Sequence, residues 1–256
     1  YCGLRTIETA RNVDEVVAKS GTIGMPQQNL VCGDEKGRIA WTIAGFIPRR
    51  VGWDGRLPVS WADGTHRWDG YYESDLQPHI VDPAEGRLWT ANSRVSAGKH
   101  LEMIGDGGYG LGPRARQIRN HLRDLQNPTE EDMLKVQLDD RALFLSQWRD
   151  LVLATLKLQP PVAGSARNAF FQEVRDHWSG RAEPKSVSYR LVRAFTYQCI
   201  AGVYDLLTES CVAADSDFSS IWLPYRHAVT WKILESRPDH LLAPFWANWD
   251  DFILQA

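Results

Sequence analysis

The chain has 256 residues, of which 43% are hydrophobic, so it is long and apolar enough to bury a sizeable core. A net charge of −3 gives no basic excess to neutralise phosphates, which excludes a typical nucleic-acid-binding protein. No segment approaches the roughly 18 apolar residues of a membrane-spanning helix, and the N-terminus lacks the pattern of a signal peptide. The chain also lacks an initiating Met, so we expect it to have been processed, trimmed or cut from a longer protein.

The first predicted element is a β-hairpin. Two apolar runs, 29–34 and 38–46, flank the short connection Glu35-Lys36-Gly37. Apolar runs joined by a few residues that include Gly are typical of antiparallel strands joined by a tight turn. The sequence therefore predicts two paired strands here.

An irregular region and one more strand are predicted next. The stretch from Pro48 to about Pro83 is rich in Gly, Pro and Asp, which favours a surface loop. We expect this loop to be fastened by its aromatic residues Trp53, Trp61 and Trp68. After a turn at 82–86, the run 87–92 predicts a further short strand.

From Pro113 onward the apolar residues follow the period of helices. A first helix is predicted from about Arg114 to Leu125, and Thr129 then caps a second one, with Asp132 as its partner three residues later. In the next segment one helical face is formed by Phe144, Trp148, Leu151, Val152, Thr155 and Leu156. Further helices are predicted at 166–178, 186–207 and 228–236.

These patterns together predict an α+β fold. Residues 1–112 form the strand-rich part and residues 113–256 the helical region. The order of elements by itself names no function.

Several common kinds of site find little support. The seven histidines are not spaced as in H-E-x-x-H, no G-x-S-x-G elbow is present, and the four cysteines form no C-x-x-C pair, so we predict no metal site. The Gly-rich run 105–112 precedes a helix but lacks a Gly-Lys-Ser/Thr ending, which favours a flexible loop over a phosphate site. The eleven tryptophans could stack on sugars, but their spread over both halves favours core packing.

A series of short motifs resembles the penicillin acylase family of N-terminal-nucleophile hydrolases. That family's pattern is a Pro-x-Gln-Asn, a strand, an Asp-x-x-Gly turn, a second strand and a Gly-x-x-Pro-x-Arg exit. The matching residues here are Pro26-Gln27-Gln28-Asn29, then Asp34 and Gly37, then Gly45-Phe46-Ile47-Pro48-Arg49-Arg50. Further landmarks follow in the family's order: Arg56-Leu57-Pro58-Val59, Trp68-Asp69-Gly70, Thr90-Ala91-Asn92, Arg114-Ala115-Arg116-Gln117-Ile118 and Val136-Gln137-Leu138-Asp139.

The resemblance implies part of the large subunit of a four-layer αββα sandwich. In that family a precursor cuts itself, and a Ser at the new N-terminus attacks an amide carbonyl with its own α-amino group as base. One donor to the developing oxyanion is the side-chain amide of an Asn on a strand, and Asn92 matches it. Arg114 matches an Arg that holds this Asn and the nucleophile in place, and Gln28 aligns with a position that lines the acyl pocket.

Two of these residues also have an ordinary structural explanation. Asn92 fits an Asn at the end of a strand that bonds to its own backbone. Arg114 fits an exposed Arg at the start of a helix. The order of the surrounding motifs favours the catalytic interpretation of Asn92.

Other parts of the family's machinery are not found in this sequence. The nucleophilic Ser, a second oxyanion donor from the backbone and the small subunit that walls the acyl pocket are missing, so we expect the rest of the same precursor as a partner. Cys2 is not favoured as a substitute nucleophile, because it lacks the family's surroundings. Members often bind a structural calcium, but the ligand position falls near Glu102 and Met103, so no cofactor is expected.

The function implied by the resemblance is amide hydrolysis. The expected substrate is a small molecule with an acyl side chain, such as a β-lactam antibiotic, an acyl-homoserine lactone or a lipopeptide; neither nucleic acid nor a membrane is an expected partner. Relatives are usually exported, which implies the periplasm or beyond. The alternative is a catalytically inactive fragment or module with a structural or binding role.

Overall fold

The computed structural model describes residues 3–105, 108–223 and 225–256. The chain divides into two compact units, Tyr1–Pro128 and Thr129–Ala256. The sequence-based boundary was placed at 112/113, so the first unit also contains the first predicted helix of the helical region. Cys2 and part of the Gly-rich run lie outside the described residues.

The described part of the first unit mixes short helices with two antiparallel sheets. Its elements in chain order are α1 (Arg5–Glu8), α2 (Val13–Ser20), β1 (Gln28–Gly33), β2 (Ile39–Ala44), β3 (Pro48–Val51), β4 (Arg67–Tyr71), a 3₁₀ turn (Ser74–Leu76), β5 (His79–Val81), α3 (Gly98–Ile104) and α4 (Pro113–Asp124). One sheet has the order β1-β2-β5 and the other pairs β3 with β4. The predicted α+β class is confirmed.

The predicted hairpin is confirmed. Strands β1 and β2 pair antiparallel, with Gly33 opposite Ile39 at the closed end. The Asp34 carboxylate accepts a hydrogen bond from the backbone N–H of Lys36 (3.0 Å), and Gly37 has a φ of +77°. Short polar side chains and Gly are the residues that such a turn requires.

Both faces of strand β2 are covered. On one face Ala40 packs with Val13 and Val17 of α2. On the other face Trp41, Ile43 and Ile47 form a cluster with partly buried residues from the following segments: Tyr72, Leu88, Val95, Met103 and Ile104. Successive residues of a strand point to opposite faces, so β2 is held between α2 and the segment 88–104. That segment carries the candidate site.

Helix α2 was missed by the sequence analysis, which expected only strands and turns in this part of the chain. Its start is marked by Asn12, whose side chain accepts a hydrogen bond from the Glu15 N–H (3.0 Å). Asp14 and Glu15 then lie in the first turn, where negative charge is favourable. This capping pattern was the signal available in the sequence.

The expectation of an irregular loop from 48 to 83 was wrong in part, because three short strands lie there. Strand β4 is exposed along its whole length, so it has no alternating apolar pattern from which it could be predicted. The aromatic residues do lie together: the ring centroids of Trp53 and Trp61 are 5.4 Å apart, and those of Trp61 and Trp68 are 5.6 Å apart.

The strand predicted at 87–92 is not observed. These residues lie outside the strands of the structure. The run Leu88-Trp89-Thr90 has the residue types of a strand, but strand formation also needs a neighbour that completes a hydrogen-bonded ladder. Here the segment is attached mainly through side chains, described below.

The described part of the second unit is helical. Its elements are α5 (Glu130–Gln137), α6 (Leu143–Leu158), α7 (Ala166–Asp176), α8 (Val187–Leu207), α9 (Glu209–Ala214), α10 (Arg226–Ser236), α11 (Trp249–Gln255) and two 3₁₀ turns, Ser220–Trp222 and Asp239–Leu241. The predicted helices are confirmed; α9 and α11 were not predicted. The fully buried Trp148 lies in the large core formed mainly by α6, α8, α10 and α11. Among the described residues, none of the helices combines the length and apolar character that a bilayer-spanning segment needs.

The predicted cap of α5 is confirmed. The Thr129 hydroxyl accepts from the Asp132 backbone N–H (3.3 Å), and the Asp132 carboxylate accepts from the Thr129 backbone N–H (3.1 Å). The Thr129 backbone N–H, the Thr129 hydroxyl (2.9 Å) and Lys135 all donate to the Asp132 carboxylate, and these bonds lower the pKa of Asp132 to about 2. A reciprocal pair of this kind satisfies two N–H groups that the helix leaves without partners.

Acid should remove the stabilisation from this cap. The pKa of Asp132 is lower in the folded chain than its ordinary value of 3.8, so the contribution is complete above about pH 4 and is lost as the pH falls through about 2. We expect Asp132→Ala to lower the urea midpoint at pH 7, and the difference from wild type to shrink below pH 4. Asp205→Ala, an exposed change in α8, is the control. A difference that stays constant with pH would contradict this assignment.

Candidate active site

Asn92 lies at a bend whose backbone contacts Gly110. Its side chain is exposed. Its backbone carbonyl accepts a hydrogen bond from the Gly110 N–H (2.7 Å), and Ser93 forms an isolated parallel bridge with Gly110. A Cβ atom at position 110 would lie 3.3 Å from the Asn92 carbonyl oxygen. The small residue therefore suits this close approach of two backbones.

A second attachment joins the segment to the sheet. The Trp41 indole N–H donates to Asn29 Oδ1 (2.9 Å), and Asn29 Nδ2 donates to the carbonyl of Ala91 (3.3 Å). Trp41 is diagonal to Asn29 across the β1–β2 pair, because Asn29 lies opposite Ile43. The indole thus fixes the Asn29 amide, and the amide fixes the peptide group next to Asn92.

A third attachment reaches the Asn92 side chain itself. Helix α4 begins with Pro113 at its first position, and the next residue, Arg114, donates from Nη2 to Asn92 Oδ1. A guanidinium has donors but no acceptor, so the atom that faces it is the amide oxygen. The NH2 group of Asn92 therefore points away from Arg114 and has hydrogens to donate elsewhere.

Gln28 occupies the first position of β1 and is exposed. Strand alternation places its side chain on the opposite face of the sheet from that of Asn29. The structure thus brings Asn92 and Arg114 into contact. The Gln28 side chain lies on the opposite face of the sheet from Asn29. A role of Gln28 in lining an acyl pocket stays a prediction.

A cavity of about 400 Å³ lies beside the Asn92 segment. Its walls include Trp41 and Ile80 of the sheet, Ala115 of α4 and the segment residues Leu88, Trp89, Thr90 and Ser93. The cavity leaves the segment incompletely packed against the sheet and α4. The polar attachments described above therefore help to hold the segment in place.

The calcium position that the family resemblance implies falls near Glu102. Within residues 3–105, 108–223 and 225–256, no three His, Cys, Asp or Glu side chains are grouped closely enough to hold a metal ion. Near Glu102, the carbonyls of Met103 and Ile104 accept hydrogen bonds from Arg50 instead (2.9 and 3.0 Å). The described residues do not fit a calcium site.

The sequence did not reveal the residues that hold the backbone at Ala91 and Asn92. Asn29 was noted only as a motif residue, and neither Trp41 nor Gly110 was linked to the site. The available signal was that Asn29 is polar on a sheet face whose neighbours, Trp41 and Ile43, are apolar. A polar side chain beside two apolar ones on the same strand face can reach a partner that packs on that face.

The comparisons with known proteins agree on one family. The family model described as penicillin amidase matches residues 3–255. The acyl-homoserine lactone acylase QuiP of Pseudomonas aeruginosa is 28% identical over 145 residues, which are 57% of this chain and 17% of that protein. Penicillin acylase 2 proenzyme of Pseudomonas sp. strain SE83 is 38% identical over 81 residues, 32% of this chain and 10% of that protein. The aligned region thus spans less than a fifth of either relative.

One solved structure has a similar fold. The thermostable penicillin G acylase of Alcaligenes faecalis matches with a TM-score of 0.62 over 98% of this chain and 49% of that chain. The two sequences are 17% identical, so the likeness concerns the fold.

Changing Asn29 should loosen the attachment of Ala91. In Asn29→Asp the carboxylate can still accept from Trp41, but it has no hydrogen to donate and would face the Ala91 carbonyl oxygen. We expect the free energy of unfolding to fall by about 0.5–1.5 kcal/mol, measured by urea denaturation at pH 7. The exposed Gln172→Glu in α7 adds the same charge and should change it by less than about 0.5 kcal/mol. Equal effects of the two changes would argue against the attachment.

Proposed function

Because the chain belongs to the penicillin amidase family, we propose that it is part of an acylase, a hydrolase that cleaves the amide bond between an acyl group and an amine. Its relatives include enzymes named acyl-homoserine lactone acylase and penicillin acylase. One geometric observation carries the proposal: the amide of the exposed residue Asn92 is held by its oxygen, which leaves its NH2 group to donate elsewhere.

The proposed role of Asn92 is to donate to the oxyanion. When a nucleophile adds to an amide carbonyl, the carbonyl oxygen becomes negatively charged, and a fixed donor near that oxygen stabilises the transition state. The Asn92 NH2 group is neutral, so it can donate without altering the charge of an adjacent amine base. An amide already oriented by Arg114 does not have to reorganise as the charge develops.

Arg114 is proposed as a positioning residue. Its hydrogen bond to Asn92 Oδ1 prevents the amide from rotating and presenting its oxygen to the oxyanion, where it would repel. The positive charge also lies close to the developing negative charge, which favours the transition state further. A neutral residue without a hydrogen-bond donor at position 114 would provide neither effect.

The remaining groups are proposed to come from other parts of a longer precursor. This sequence aligns with only 17% and 10% of the length of two relatives. By resemblance to the family, the nucleophile is a Ser at a processed N-terminus whose α-amino group is the base. The small subunit and the nucleophile-bearing segment are then the partners of this chain, and export to the periplasm or beyond stays part of the same proposal.

The substrate class follows from the relatives. We propose an acylated amine such as an acyl-homoserine lactone, a β-lactam or a lipopeptide, and acyl-homoserine lactones are the first class to test, since QuiP proteins recur among the relatives. Gln28 is proposed to contact the acyl group, where its amide would favour a substituted chain over a plain alkyl chain.

Removing the Asn92 amide from the full-length enzyme should slow the chemical step. We expect Asn92→Ala to lower kcat by about 10²–10³-fold with KM little changed, because the donor acts on a charge that exists only in the transition state. Steady-state hydrolysis of acyl-homoserine lactones of several chain lengths measures this. Asn120→Ala, on the exposed side of α4, should retain wild-type kcat. Near wild-type turnover by Asn92→Ala would remove the mechanistic proposal.

The isolated chain should not hydrolyse acyl amides, because the proposed nucleophile lies in another segment. We expect no acyl release above the buffer rate when the chain alone is incubated with acyl-homoserine lactones, penicillins and an N-acyl peptide, followed by mass spectrometry. A burst of acyl release equal to the amount of chain would show that a nucleophile lies within this sequence.

A further inference from the structure

The C-terminal end of helix α4 is tied to the turn at 83–86, which precedes the segment 88–104 that carries Asn92. Arg123, in the last turn of α4, donates from Nε and Nη2 to the two carboxylate oxygens of Glu85 (2.8 and 2.6 Å). The Arg123 guanidinium also lies over the ring of Trp89, 5.2 Å from its centroid. Glu85, Trp89 and Arg123 are here called the Glu85 clamp.

A neighbouring arginine adds to this attachment. Arg87 Nη2 donates to the carbonyl of Leu125, the residue that ends α4, and Arg87 Nη1 donates to the carbonyl of Glu85 (3.2 Å). The last carbonyls of a helix have no partner within it and carry partial negative charge. The Leu125 carbonyl therefore gains a hydrogen-bond donor, and the positive charge of Arg87 lies at the negative end of the helix dipole.

The same helix and the same segment also meet at the site. Arg114, at the start of α4, donates to Asn92 Oδ1, and Arg123, near its end, holds Glu85. A helix of this length is a stiff rod with a fixed rise per residue. Arg114 and Arg123 fasten this rod near both its ends, one to Asn92 and the other to Glu85 in the turn at 83–86. A helix fastened at two points cannot slide or turn freely, so the contact at one end affects where the other end lies.

We propose that the Glu85 clamp is a positioning device for the active site: it sets the place and rotation of α4, hence the direction in which Arg114 holds the Asn92 amide. The inference rests on the proposed function. None of the three residues touches the proposed oxyanion position, so they are positioning residues and act through Arg114.

The charges favour an ion pair between Glu85 and Arg123 that stays formed at neutral pH. The hydrogen bond from Arg123, and then the positive charges of Arg123, Arg87 and Arg119, lower the pKa of Glu85. The bond to Glu85 raises the pKa of Arg123. An isolated exposed ion pair contributes little to stability, but this pair has bidentate geometry and an aromatic ring beneath the cation, which fix its direction. Direction is the property that a positioning device needs.

The test uses the full-length enzyme with Glu85→Gln. We expect kcat to fall about tenfold with KM within about twofold of wild type, because a misdirected donor weakens transition-state binding more than substrate binding. Arg175→Gln is the matched control: Arg175 also makes a bidentate pair, with Asp176, and lies over the ring of Phe171 (4.9 Å). The control should retain wild-type kcat. An equal kcat for Glu85→Gln and Arg175→Gln would overturn the proposal.

A double-mutant cycle separates positioning from general loosening. If the clamp acts through Asn92, then Glu85→Gln should lower kcat by less than about twofold further in an Asn92→Ala background. A full tenfold loss in that background would overturn the proposal. If Glu85→Gln does not fold, Arg123→Lys tests the same point, since it keeps the charge but loses the bidentate geometry; about a threefold loss of kcat is expected, and no loss would overturn the proposal.

The proposed function and the clamp can fail separately. An Asn92→Ala enzyme with wild-type kcat would end the proposed function and the clamp with it. A large loss in Asn92→Ala together with wild-type kcat in Glu85→Gln would end the clamp alone.

Discussion

The hydrogen bond from Arg114 to Asn92 Oδ1 is the constraint on which the proposed chemistry depends. A side-chain amide has one end that donates and one end that accepts, and the two have nearly the same shape. A partner that has donors alone binds the oxygen and leaves the NH2 group facing outward, and a guanidinium is such a partner. Once the oxygen faces Arg114, the amide can act only as a donor toward a bound carbonyl.

The surrounding fold holds the backbone on which this hydrogen bond depends. Strand β2 is held on one face by α2 and on the other by the segment 88–104. From the second face, Trp41 and Asn29 reach the peptide group of Ala91, and Gly110 holds the carbonyl of Asn92. The backbone at Ala91 and Asn92 is thus held by the Asn29 side chain and by the Gly110 N–H, and Arg114 holds the Asn92 side chain. The proposed role as an oxyanion donor requires placement of this kind.

The tryptophans show that composition alone does not tell whether a residue is buried or exposed. Core packing is correct for Trp148 and Trp249, which are buried in the second unit. It is not correct for Trp61 and Trp68, which are about half exposed and pack edge to face near β4. Tryptophan stabilises a helical core in one unit and packs on an exposed surface in the other. How many tryptophans the chain contains therefore does not predict what each of them does.

The sequence by itself determined the elements whose causes are local. The hairpin follows from two apolar runs around Asp34 and Gly37, and the cap of α5 follows from Thr129 and Asp132, because each depends on residues a few positions apart. The ordered motifs also identified Asn92 and Arg114 as candidates. Only the tertiary structure decided that 87–92 is not a strand, since a strand needs a partner that no local pattern reveals.

The tertiary structure also decided what holds Asn92. The contacts from Asn29 to Ala91 and from Arg123 to Glu85 join residues far apart in the chain, and each requires a particular approach of the sheet, the segment and α4. Periodicity reports which face of an element is apolar. It carries no information about which distant polar group that face will meet, because that is settled only when the elements pack.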